Sequence, residues 1–149
     1  HENYIDRKSS AFVGLYENLV KDLDFEYSRP QENGYRTDVR WFRALNENNI
    51  GFEIKGDPLI SFSAHYNTIE DLDDGLRPNN PGEKVGTRKR IIKKQRKPID
   101  VPKRDFISLN IDLKQMGVGG DNSWGARTLP KYTINPGNYT YSFTISPVN

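Results

Sequence analysis

A protein does chemistry with the side chains it has, and this 149-residue chain has no cysteine and two histidines, His1 and His65. The first fact excludes a thiol nucleophile, a Cys-based zinc site and a disulfide scaffold. The second makes a Ser-His-Asp triad or a multi-histidine metal site a poor fit. Carboxylates remain, eight Glu and twelve Asp. Hydrolysis of a glycosidic bond needs two of them, about 5–5.5 Å apart for retention or roughly 6.5–9.5 Å for inversion. Most of these acids fall in turns or on solvent-facing strand positions, and no pair stands out. His65 follows an apolar run and reads as packed against it, not as catalytic.

Two further segments could act on a ligand. Met116-Gly117-Val118-Gly119-Gly120-Asp121-Asn122-Ser123-Trp124-Gly125 puts three glycines in four positions, which opens backbone conformations that a Cβ forbids. As a phosphate loop it fails, because no Lys follows the last glycine and no helical pattern comes after. An indole beside Asp121 and Asn122 suits a sugar, whose C–H face stacks on the ring while its hydroxyls meet polar partners. The same segment reads equally well as a core Trp pinning a long loop. The second segment, residues 84–104, carries ten bases and one acid, while the rest of the chain has twelve bases and nineteen acids. Its densest part, residues 88–97, could neutralise phosphates. It has no aromatic side chain for base stacking, so a solvated loop fits it better than a nucleic-acid site.

The elements that must position these residues are strands. Hydrophobic residues make up 34% of the chain and charged ones 28%, a polar but foldable composition. No apolar run approaches the roughly 18 residues of a membrane span. The length suggests one domain or part of one, and a start at His1 without a leader pattern suggests an excised piece. Alternation predicts strands over residues 11–16, 24–29, 37–45, 50–54, 59–64, 106–112, 132–134 and 139–145, with Asn46 to Asn49 as a hairpin turn. Trp41, mid-strand, reads as core. Residues 68–72 form the one helix signal, with Asn67 or Thr68 as its cap. About eight short strands with turns between them describe an antiparallel β-sandwich.

The motifs together resemble a known family. Arg29-Pro30-Gln31-Glu32-Asn33-Gly34-Tyr35-Arg36-Thr37-Asp38-Val39-Arg40-Trp41 is similar to a signature of the C-terminal domain, or small chain, of glycoside hydrolase family-two β-galactosidases. The glycine-rich segment resembles its second signature, and His1-Glu2-Asn3-Tyr4-Ile5-Asp6-Arg7 a third. Pro136-Gly137-Asn138-Tyr139-Thr140-Tyr141-Ser142-Phe143 fits the last strand of the family, and the motifs keep the family's order over nearly the whole chain.

The resemblance implies an all-β fold, the C-terminal part of a galactose-mutarotase-like supersandwich, with residues 1–149 as a small-chain domain incomplete at its N-terminal side. It implies no catalytic residue, metal site or cofactor in this chain. The catalytic glutamates, and any divalent metal the intact enzyme needs, would belong to a separate barrel domain. The implied partners are that barrel and a galactoside substrate, within a homo-oligomer of the intact enzyme, with no nucleic acid and no membrane. Compartment stays open between bacterial cytoplasm and periplasm. By motif match Trp124 would reach the catalytic pocket and stack on the aglycone or acceptor sugar, with Asp121 and Asn122 supporting the loop. Gly117, Gly119, Gly120, Glu32, Asn33, Gly34 and Arg36 would be motif residues that shape their loops. Residues 78–104 depart from the family as a basic loop insertion. A stand-alone carbohydrate-binding module, using Trp124 or Trp41, is the competing expectation, and a nucleic-acid binder built on the basic run ranks last. Strands that lack their partners would leave open edges, which invite association.

Overall fold

The structure is a computed structural model and describes residues 4–7, 12–28, 30–73, 97–122 and 125–149. Its centre is an antiparallel hairpin of β1 (Arg36–Leu45) and β2 (Gly51–His65). Asn46 makes the turn: its Oδ1 accepts from the N–H groups of Asn48 and Ile50, and its carbonyl accepts from Asn49 N. Asn49 has φ 61, a left-handed conformation that asparagine tolerates better than most side chains.

One edge of β2 carries β1. The other is shared end to end by β4 (Ser142–Val148), paired with residues 51–57, and β3 (Ser108–Asp112), paired with residues 61–65. The two strands expected over residues 50–54 and 59–64 are therefore one. Between the pairs Val39↔Ile60 and Trp41↔Lys55, β2 advances five residues while β1 advances two. The excess folds tightly at Gly56, where a Cβ would lie 2.8 Å from Ile60 N. Pro58 marks this bulge and not a new strand.

The chain is all-β and antiparallel with little helix, as expected, but the described residues contain one four-stranded sheet. Residues 12–16 and 24–28 are not strands, nor are residues 132–134, where a 3-10 turn (Pro130–Tyr132) ends and the chain continues without strand pairing. β4 starts three residues later than the alternation suggests. Before it, the Tyr139 and Tyr141 hydroxyls donate to Asn135 O and Ile111 O, which ties the approach to the body without strand pairing. Alternation marks an extended, half-covered segment; it carries no information about which backbone will pair with it. The helix α1 (Ile69–Leu72) has the capping box that its sequence promises, with Thr68 Oγ1 accepting from Asp71 N and Asp71 Oδ2 from Thr68 N.

The two faces of β2 differ. Even positions are apolar: Ile54, between its cross-strand partners Phe42 and Ile145, is fully buried, as is Ile60, and the Phe42 and Phe62 rings stack at 4.0 Å. At its C-terminal half the odd positions Ser61, Ser63 and His65 lie opposite Asp112, Asn110 and Ser108, a buried polar face. Trp41 is 41% exposed, with the Arg43 guanidinium 5.5 Å from its ring centre, and so is not a core residue here. Strand parity separates two faces but cannot say which one becomes covered.

Candidate functional site

The glycine-rich segment is held from two sides. From the N-terminal motif, the Asp6 carboxylate accepts the N–H groups of Val118 (3.0 Å) and Gly119 (2.9 Å). Arg7 donates to Gly119 O and, at 3.0 Å, to Asp121 Oδ1. From the C-terminal side, Gly120 N donates to Ala126 O, Thr128 Oγ1 to Gly117 O, and Ala126 N to Asn122 Oδ1. Two glycines are dictated by space. A Cβ at Gly117 would lie 2.6 Å from Asp6 Oδ2, and one at Gly119, where φ is 65°, would lie 2.7 Å from Ala126 O. Gly120, also left-handed at φ 73°, faces open space. Trp124 and Ser123 lie outside the described residues, as do residues 74–96, which hold most of the basic run.

Burial raises the Asp6 carboxyl, but the N–H groups of Gly119 and Val118 and the charge of Arg7 outweigh it and hold the group below its ordinary value. Asp6 is therefore an anion at neutral pH, as an acceptor of two backbone donors must be. No signal along the sequence joins Asp6 to a loop 112 residues later. Only the shared ordering of the motifs hints at it.

The second motif covers the polar face of β2. Asn33 Oδ1 accepts from Phe25 N (2.7 Å), and its Nδ2 donates to Phe25 O (3.0 Å) and Gln31 O (3.2 Å). Gly34 takes φ 70° and leaves no room for a Cβ, which would sit 2.6 Å from Leu23 O. Glu32 Oε1 accepts from Ser63 Oγ, which in turn accepts from Asn110 Nδ2. Tyr35 donates to Asp112 Oδ2 at 3.0 Å; burial, then the Asp112 carboxylate, push its phenol well above the ordinary value and keep the donor protonated. Arg36 donates to Tyr35 O, and burial lowers its pKa. His65 sits on this polar face, not on the apolar one, with Nδ1 2.6 Å from Asp24 Oδ1. The contacts made by Ser63, Tyr35 and His65 join residues 31 to 77 positions apart. The motif residues thus clamp one segment onto the sheet.

At the C-terminal end of the basic segment, Arg104 closes a two-pronged ion pair with Asp71 (2.9 and 2.5 Å), while its backbone N–H donates to Tyr66 O. Arg104, the last base of the segment, is thus a fixed anchor. Its guanidinium holds the Asp71 carboxyl well below the usual carboxylate range, with the Thr68 backbone N–H adding to the effect. A depressed folded-state pKa contributes stability above the unfolded value, near 3.9, and loses it as the pH falls. Wild type is therefore expected to lose thermal stability more steeply below pH 4 than Asp71→Asn, measured as Tm against pH. Parallel curves would mean that the pair adds nothing.

Among the described residues, no group of three or more His, Asp or Glu side chains could hold a metal ion, and no helix is long and apolar enough to cross a membrane. The family described as beta galactosidase small chain matches residues 1–145. The β-galactosidase of Priestia megaterium is 37% identical over 149 residues, covering 99% of this chain and 12% of that protein. That of Halalkalibacterium halodurans is 31% identical over 133 residues (89% and 11%), and that of Streptococcus thermophilus 27% over 150 residues (99% and 13%). The chain thus spans about 12% of the length of these relatives. By the match over residues 1–145, this chain belongs to the β-galactosidase small-chain family.

Proposed function

We propose that this chain is the non-catalytic C-terminal part of a retaining, family-two β-galactosidase. Its role would be to complete the mouth of the active site and the aglycone or acceptor subsite through Trp124. The bracing of residues 117–122 carries the reading. Two motifs far apart in sequence spend an ion pair and a set of backbone hydrogen bonds on one short glycine-rich loop. A loop so held is shaped up to Asn122, two residues before the indole that would stack on a sugar. Asp121 and Asn122 serve the loop through Arg7 and Ala126, and leave direct sugar contact to the ring.

Catalysis by the intact enzyme would rest with glutamates in the barrel domain, so the chain alone is expected not to hydrolyse β-galactosides. Its remaining surface fits a piece seated in a larger polypeptide. Phe12, Val13, Leu15, Tyr16 and Leu19 are all exposed, Val13 at 90%. They lie between Asp6 and Arg7 on the glycine loop and the buried Leu23, held at both ends with their apolar side chains outward. A run of this kind gains by burial against another domain. The single sheet would be one layer of the larger sandwich.

The test is the intact parent enzyme with Trp124→Ala, assayed on lactose and on an aryl galactoside. A stacked ring contact is worth on the order of 0.5–1.5 kcal/mol beyond area burial. KM or inhibition constants for aglycone-side sugars should therefore rise roughly two- to tenfold, with bond cleavage otherwise competent. Unchanged kinetics with a lower Tm would make the loop a scaffold only. The exposed Trp41 indole favours one second reading, a carbohydrate-binding module. Titrating the chain with lactose while following Trp fluorescence decides it, since saturation at micromolar sugar requires a site of its own.

A further inference from the structure

We infer that Asp6 and Arg7 are positioning residues for the aglycone subsite, acting through the glycine loop that carries Trp124. The inference rests on the reading of Trp124 above and extends it to two residues outside the loop. The Asp6 side chain is 5% exposed and accepts two consecutive backbone N–H groups, those of Val118 and Gly119. The two consecutive amides converge on one carboxylate, and the left-handed Gly119 turns the chain immediately after them. Gly117 lets the carboxylate approach to where a Cβ would stand. Arg7 then bonds the carbonyl of the same residue, Gly119 O, in the next peptide, and reaches forward to Asp121, three residues before Trp124.

Amide and carbonyl of one loop residue, Gly119, are thus both held by a two-residue segment more than a hundred positions away. Translation of the loop would break both. A staple that merely fastened the N-terminal segment could use any exposed acceptor. This one grips the backbone inside the glycine turn and then the Asp121 carboxylate beyond it, on the side leading to Trp124.

The experiment is a double-mutant cycle in the intact enzyme between Asp6→Ala and Trp124→Ala, with Arg7→Ala as a milder variant and Asp6→Asn keeping one acceptor oxygen. The readouts are the KM for lactose and the inhibition constant of free glucose as acceptor, set against kcat for an aryl galactoside and against Tm. Asp6→Ala and Arg7→Ala should each raise the sugar constants roughly two- to tenfold, within the range lost by removing the ring itself, with Asp6→Asn in between. In the Trp124→Ala background the same changes should have almost no further effect on those constants, the non-additivity expected of groups acting as one unit. A lowered Tm with wild-type sugar constants would overturn the inference and reduce the pair to a staple. So would effects that add fully to those of Trp124→Ala. A silent Trp124→Ala would remove the underlying reading and this inference with it, whereas an effective Trp124→Ala with an additive Asp6→Ala sinks the inference alone.

Discussion

Ile54→Ala is expected to destabilise the chain by about 2–5 kcal/mol, the range for deleting a fully buried aliphatic side chain. Ile54 is 0% exposed at the crossing of three strands, with Phe42 of β1 and Ile145 of β4 as its cross-strand partners. Removing its outer carbons loses their transfer free energy and leaves a cavity that hydrogen-bonded neighbours on both sides resist closing. The urea midpoint should fall at an unchanged slope, and Ile54→Val should cost only about 0.5–1.5 kcal/mol. Ile145, 58% exposed on the same face, is the control. If Ile145→Ala cost as much as Ile54→Ala, the centre of the core would have been misplaced.

Asn33→Ala should produce the largest loss available from a polar side chain. Asn33 engages both backbone groups of Phe25 and the carbonyl of Gln31, the way a neighbouring strand would. Alanine cannot replace any of these bonds. An unsatisfied buried backbone group costs about 1–3 kcal/mol, and partial access of water near Phe25 brings the expected total to on the order of 2 kcal/mol. The effect should also be local: faster amide hydrogen exchange at Phe25, and a His65 ring signal shifted by loss of the Asp24 contact. Asn33→Asp keeps the acceptor and loses both donors, so it should fall between. Exchange at Phe25 that matched wild type would show that the segment is held by something other than Asn33.

Much of the local structure was legible. The Asn46 turn and the helix cap at Thr68, one of the two caps the sequence offered, follow from side chains that act on their own backbone within a few residues, and strands β1 and β3 from alternation. The family, too, was legible, because long motifs in a set order are a property of the chain itself. Where the reading missed, partners lay far away. The runs over residues 24–28 and 132–134 have strand-like alternation, yet neither joins a strand ladder among the described residues. Trp41 looked like core because alternation identifies a face and leaves its cover unspecified.

By itself, then, the sequence determined the β-rich class, the turns and caps, the lack of thiol chemistry and the membership of the small-chain family, all of which depend on residue type and short-range spacing. The tertiary structure alone decided what those motifs do to one another. It brought Asp6 and Arg7 onto Gly119 and Asp121, joined Asp71 to Arg104, and laid residues 31–36 over Ser63 and Asp112. Such pairings form because a desolvated carboxylate or amide must find a partner wherever the fold brings one within about 3 Å, and that distance bears no relation to separation along the chain.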